Sequence, residues 1–145
     1  MNYQGPIQSP VEKNPTAEEL MTRNEPVLAP DMPLMEAMDV FLKHKISGAP
    51  VVDRGGRLLG MLSEKDCLKL LANKTYYHHL PAQTVEAYMT PAEQVQTVEL
   101  NIDMQGLATL FLDNNFRKVP VMKNDRVIGQ VSRRDVMRGI HKMLS

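Results

Sequence analysis

Tryptophan is absent and cysteine occurs once, at position 67, in a chain of 145 residues. A single thiol excludes an internal disulfide, and a reducing, cytoplasmic compartment suits such a chain. Aromatic residues are scarce, at 5%. Without aromatics interleaved among basic residues there is no stacking platform for single-stranded nucleic acid, so nucleic acid is not the expected partner. No apolar stretch reaches the roughly 20 residues of a membrane span. Met1 to Pro15 is polar and proline-rich, without the basic start and apolar stretch of a signal peptide. The four histidines, His44, His78, His79 and His141, include no i,i+4 pair, and Cys67 is far from them in sequence. No metal site is expected from that spacing. No catalytic signature is present either, and no catalytic residue is expected.

What remains is an ordinary globular composition, 43% apolar and 23% charged, with eleven methionines read as core filler. Net charge is zero but unevenly spread. Residues 111–145 hold eight cationic side chains against Asp113, Asp125 and Asp135, a net +5, which leaves −5 on residues 1–110. A basic cluster of this size suits a small polyanion such as a nucleotide phosphate. It equally suits a solvated helix face.

An internal duplication organises the chain. Met21-Thr22 recurs as Met89-Thr90 at an offset of 68. Phe41-Leu42 recurs as Phe111-Leu112 and Pro50-Val51 as Pro120-Val121, both at 70. Gly60, Ser63 and Asp66 recur as Gly129, Ser132 and Asp135, all at 69. The spacing predicts an N-terminal extension over 1–15, repeats over 16–73 and 83–145, and a linker over 74–82.

Each repeat reads as helix, strand, helix, strand, strand, helix. Thr16-Ala-Glu-Glu19 opens the first as a capping box, and Thr84 can cap the second. Pro26–Leu28 and Gln94–Val98 read as short extended segments. Leu34, Met38, Phe41 and Leu42 form one helical stripe; Met104, Leu107, Phe111 and Leu112 form its counterpart. Hairpins follow, turning at Asp53–Gly56 and at Lys123–Asp125. The last helices are expected to bury Leu68, Leu71 and Ala72 in the first repeat, and Val136, Met137, Ile140 and Leu144 in the second. The fold class is therefore α/β (α+β), with two β-α-β-β-α units. Neither repeat buries enough surface alone, so the sheets are expected to pack together with pseudo-two-fold symmetry. Clefts between such halves commonly take ligands.

The informative stretch is Gly60-Met-Leu-Ser63-Glu-Lys-Asp66, repeated as Gly129-Gln-Val-Ser132-Arg-Arg-Asp135. The glycine lets something approach the strand backbone closely. A helix begins at the serine, where free N–H groups favour phosphate or hydroxyl oxygens. The aspartate, three residues on, can accept both hydroxyls of a ribose. Ser-x-x-Asp is also a helix cap that needs no ligand. Both readings stay open on the residues alone.

Taken together, Met21-Thr22, Ile46–Asp53 and the motif at Gly60, with Met89-Thr90, Phe116–Val121 and the motif at Gly129, resemble the cystathionine-β-synthase (CBS) domain in tandem. The resemblance covers roughly residues 17–144. It implies a regulatory pair, the Bateman module, that binds AMP, ATP or another adenosyl compound in inter-domain clefts and performs no chemistry itself. No cofactor is required. Carried over by position, the site residues are Ser47, Ala49, Ser63 and Asp66 in the first repeat and Arg117, Val119, Ser132, Arg133 and Asp135 in the second. The aspartates are expected to hold ribose, and Arg117 with Arg133 and Arg134 to meet phosphate. A homodimer or a separate protein partner would carry the output. The competing expectation is a ligand-free assembly module.

Overall fold

The structure, a computed structural model, describes residues 14–72 and 83–145. The extension as far as residue 13 and the linker at 74–82, with His78 and His79, lie outside the described residues. The elements run α1 (Ala17–Leu20), α2 (Leu34–His44), β1 (Gly48–Val52), β2 (Leu58–Ser63), α3 (Glu64–Ala72), α4 (Val85–Tyr88) and β3 (Thr90–Pro91). After a 3₁₀ turn at Ala92–Gln94 come β4 (Val98–Glu99), α5 (Met104–Asp113), β5 (Lys118–Lys123), β6 (Arg126–Ser132) and α6 (Arg133–Leu144). The fold is mixed α/β with two three-stranded sheets, ordered β1-β2-β3 and β4-β5-β6. No helix among the described residues is long and apolar enough to cross a membrane.

The chain divides into two compact units, and each draws on both sequence repeats. The β4–β6 unit gathers residues 14–24, Gln96–Asn124 and Ile128–Ser145. The β1–β3 unit gathers 25–72, 83–95 and Asp125–Val127. The exchange has a physical cause in the short first helix of each repeat. A four-residue helix has no intrahelical acceptors for its first N–H groups. In α1 these donate to the second repeat: Ala17 N–H to Ile102 O at 2.8 Å and Glu18 N–H to Leu100 O at 3.0 Å. In α4 they donate to the first repeat: Val85 N–H to Met32 O at 2.9 Å and Glu86 N–H to Pro30 O at 3.0 Å.

The Met-Thr pairs continue the exchange. Thr90 and Pro91 form β3, antiparallel to Met61 and Gly60 of β2. Thr22 makes the equivalent antiparallel bridge to Gln130 of β6. On the far side of each hairpin a short parallel partner closes the sheet, Leu28 on Val51 and Val98 on Val121. This explains both glycines. A Cβ on Gly60 would run into the Thr90 carbonyl and the Met89 sulfur, and one on Gly129 would stand 2.7 Å from the Met21 sulfur and 2.9 Å from the Thr22 carbonyl. The close approach anticipated at these glycines is made by the protein's own backbone.

Both hairpin turns follow from local chemistry. Asp53 Oδ1 accepts from the N–H groups of Gly55 and Arg57 at 2.8 and 2.9 Å, and Gly56 adopts φ +85°. These N–H groups, that of Arg57 above all, hold the Asp53 carboxyl below its ordinary range against an opposing effect of desolvation. In the second hairpin Asn124 and Asp125 both take positive φ, the requirement of a tight two-residue turn.

Each unit has its own core. Leu28, Leu34, Ala37, Phe41, Ala49, Val51, Leu62, Cys67 and Val85 form one; Ala17, Val98, Met104, Leu107, Phe111, Val119, Val121, Val131 and Val136 form the other. Cys67 is buried as expected, and burial pushes its thiol up, with Asp66 and Glu64 adding to the effect.

Four sequence expectations are corrected. Gln94 lies in the 3₁₀ turn, so the extended segment shrinks to Val98–Glu99, and in the first repeat only Leu28 makes a strand contact. Thr84 occupies the cap position of α4 without a side-chain hydrogen bond, because the carbonyls of Met32 and Pro30 already serve the first N–H groups. In α3 the buried residues are Asp66 and Cys67, whereas Leu68 and Leu71 are about two-thirds exposed and Ala72 is exposed too. In α6 Val136 is buried but Met137, Ile140 and Leu144 are exposed, as are Leu42 in α2 and Leu112 in α5. Each apolar stripe is wider than the strip its own sheet covers, and periodicity does not say which edge is covered.

Gly60→Ala and Gly129→Ala are each expected to destabilise the chain by about 1–3 kcal/mol, because the added methyl meets backbone that cannot move independently. Urea denaturation checks this. A change at either position that leaves the midpoint unmoved would contradict the close approach.

Candidate functional site

In both units the last strand runs directly into a helix, and the Ser-x-x-Asp sequence sits on that junction. In the β1–β3 unit the Asp66 carboxylate folds back over the strand end. Its Oδ2 accepts from the Ser63 N–H at 2.9 Å and the Ser63 hydroxyl at 3.0 Å, while Ser63 Oγ accepts from the Asp66 N–H at 3.2 Å. In the β4–β6 unit Asp135 Oδ2 accepts from the Ser132 N–H at 2.9 Å, and Ser132 Oγ accepts from the Asp135 N–H at 3.0 Å. The reciprocal cap is therefore present twice.

Each carboxylate has a second oxygen turned to a cation one helical turn on. Lys69 Nζ donates to Asp66 Oδ1 at 2.9 Å, and Arg138 Nη1 donates to Asp135 Oδ1 at 3.2 Å. The two members of each pair differ sharply in exposure. Both aspartates are buried, while the Lys69 and Arg138 side chains are 61% and 67% exposed. Lys69 and Arg138 were not anticipated from sequence, although their i,i+3 spacing from the aspartates was available as a signal.

The remaining expected residues divide into two groups. Ser47 and Arg117 occupy equivalent places beside the junctions. The Glu64 N–H donates to Ser47 O at 2.9 Å, and the Arg133 N–H donates to Arg117 O at 3.0 Å. Ser47 and Ser63 are half-buried; Arg117, Arg133 and Arg134 are exposed. Ala49 and Val119 are different. Their side chains are sealed in the two cores, so only their backbone can face a ligand.

One residue was overlooked. Gln130 is 2% exposed, and its Oε1 has no hydrogen-bond partner among the described residues. The signal was a polar residue at an apolar strand position, where the other repeat has Met61. Among the described residues no group of three His, Cys, Asp or Glu side chains could hold a metal ion.

The sequence model of the CBS domain matches residues 17–73 and again residues 85–142. The chain belongs to the CBS domain family. As a tandem CBS pair it is similar to inosine-5′-monophosphate dehydrogenase of Aquifex aeolicus, 30% identical over 129 residues, which cover 88% of this chain and 25% of that enzyme. It is also similar to the chloroplastic CBS domain-containing protein CBSX1 of Arabidopsis thaliana, 27% identical over 85% of this chain and 63% of that protein. The chain thus spans a quarter to about two-thirds of the length of these curated CBS relatives. Two solved CBS pairs share the fold closely. CBSX2 in complex with AMP superimposes with a TM-score of 0.79 at 26% identity, covering 90% of this chain and 99% of that one. A CBS domain pair in complex with 5′-methylthioadenosine and S-adenosyl-L-methionine superimposes at 0.69 and 26% identity, covering 89% of this chain and 98% of that one.

Removing the cap hydroxyl with Ser132→Ala is expected to lower stability by about 1 kcal/mol without changing the fold. Thermal or urea melts of the ligand-free chain check this. A loss near zero would mean that the hydrogen bond from the Asp135 N–H to the Ser132 hydroxyl adds nothing to the helix start.

Proposed function

We propose that this CBS pair is a regulatory module that binds an adenine nucleotide or related adenosyl ligand and performs no chemistry of its own. Ser47, Ala49, Ser63 and Asp66 serve one unit; Arg117, Val119, Ser132, Arg133 and Asp135 serve the other. The observation that carries this reading is the duplicated, buried, pre-oriented carboxylate. Asp66 and Asp135 are each fixed through Oδ2 by the cap, while Oδ1 pairs with an exposed cation. A ribose hydroxyl displaces such a cation at small cost, since exposed ion pairs are worth about 0–1 kcal/mol. It gains a hydrogen bond to a charged acceptor, worth about 1.5–3 kcal/mol. Cap and ribose site are then successive uses of one side chain. The AMP and S-adenosylmethionine complexes of the similar CBS pairs support the ligand class.

AMP or ATP is expected to raise the melting temperature, because a ligand that binds only the folded state stabilises it by mass action. Asp66→Asn and Asp135→Asn should each weaken nucleotide binding by about 1.5–3 kcal/mol while the ligand-free melt changes by less than about 1 kcal/mol. Calorimetric titration with AMP reads the first and scanning fluorimetry the second. No response to any adenosyl compound at millimolar concentration would leave a ligand-free assembly module as the better reading.

Output requires a surface. Leu42, Leu68 and Leu71 on one unit, and Leu112, Met137 and Leu144 on the other, are all more than half exposed on helices. Apolar helix faces of this kind suit a second copy related by two-fold symmetry. Light scattering should return twice the 16.4 kDa chain mass. The monomer mass at every accessible concentration would rule out the homodimer.

A further inference from the structure

Resting on the adenosyl reading above, we propose that Lys69 and Arg138 are competitors of the ligand. Each cation occupies the carboxylate oxygen that a ribose needs, and the pair of them sets the ligand concentration at which the module responds.

The two oxygens of each aspartate are not equivalent. Oδ2 is committed to the helix start. It accepts from the Ser63 N–H in one unit and from the Ser132 N–H in the other, both at 2.9 Å, and in the first unit from the Ser63 hydroxyl as well. Giving up these bonds would leave a part-buried backbone donor without its acceptor, which is costly. Oδ1 is different. Its partner is Lys69 Nζ at 2.9 Å or Arg138 Nη1 at 3.2 Å, three residues on along the same helix. That pairing is between side chains alone, so exchanging it moves no backbone.

The pairing is also lopsided. The aspartate side chains are 9% exposed, whereas those of Lys69 and Arg138 are 61% and 67% exposed. The carboxylate is held in place. The cation is a long, mostly solvated side chain that gives up rotamer freedom to reach it. Arg138 donates to Asp135 through one nitrogen, so the two-pronged contact that makes arginine pairs strong is not in use. A cation of this kind leaves its oxygen without any rearrangement of the fold. Release still has an energy, and a ribose hydroxyl that takes Oδ1 must supply it, so the strength of the ion pair is subtracted from the affinity.

The arrangement occurs at both junctions. Asp66 with Lys69 and Asp135 with Arg138 stand at the same offset of 69, although Glu64 and Lys65 beside the first pair differ in charge pattern from Arg133 and Arg134 beside the second. A cation is therefore present at this place in each unit whatever the neighbouring charges are.

The probe is adenosine, which carries the ribose and no charge. Methionine replaces either cation with similar length and helix propensity. In calorimetric titration, Lys69→Met combined with Arg138→Met should bind adenosine about two- to fivefold more tightly than the wild-type chain, the change that corresponds to an exposed ion pair. The ligand-free double variant should melt below the wild-type chain, and the two should melt together at saturating adenosine, because neither complex contains the ion pairs. Lys69→Arg combined with Arg138→Lys keeps both pairs and should bind as the wild-type chain does. Raising salt from about 0.02 to about 0.5 M should tighten adenosine binding by the wild-type chain through screening of the pairs, and the methionine variant should lack that response. Unchanged or weaker binding by the methionine variant overturns the proposal. So does a melting deficit that persists at saturation, which marks a purely structural pair. Binding of AMP without adenosine overturns this proposal alone. Binding of neither removes the adenosyl reading itself, and this proposal with it.

Discussion

A missing side chain at two positions governs much of this structure. At Gly60 and Gly129 the strand backbone is in contact with a Met-Thr segment that belongs to the other sequence repeat. That contact completes the antiparallel side of each sheet, through Met61 with Thr90 and Gln130 with Thr22. The same strands end three residues later at Ser63 and Ser132 and turn into helices. The location of each Ser-x-x-Asp junction therefore depends on how closely the strand before it can be approached. Any residue larger than glycine would push the pairing segment away and displace the junction with it.

In the proposed function the junction combines two roles that sequence alone presents as rivals. As a cap, the aspartate satisfies the backbone N–H at the strand end and is fixed in one orientation. As a ligand group, it needs that same orientation, because a carboxylate free to rotate would lose entropy on binding. Both aspartates are buried, and their outer oxygens pair with the exposed Lys69 and Arg138. Under the proposed function, the stability of the ligand-free fold and the readiness of the site draw on one set of hydrogen bonds.

Much of the architecture was legible in the residues. The ordered repeat of Met-Thr, Pro-Val and Gly-x-x-Ser-x-x-Asp marked two equivalent α/β repeats. Turn chemistry at Asp53–Gly56 marked a hairpin that the structure contains. The reciprocal caps were readable because a Ser and an Asp three apart meet within one helical turn whatever surrounds them. The apolar stripes were read less well. Leu68 and Leu71 share a helix with the buried Asp66 and Cys67, yet they face outward. Periodicity identifies an amphipathic helix but not the width of the strip its neighbours cover.

The sequence by itself determined what short-range geometry controls: the order of the longer helices and hairpins, the hairpin turns, and the pairing of each Ser with its Asp. Those contacts span at most a few residues, and backbone sterics leave few alternatives. Only the tertiary structure decided that each Met-Thr segment completes the sheet of the other repeat, that Arg117 adjoins Arg133, and that Gln130 is buried with an unused oxygen. These depend on which surfaces meet after segments tens of residues apart have been brought together. No local propensity encodes that choice, because the same strand and helix patterns are compatible with pairing inside a repeat or between repeats.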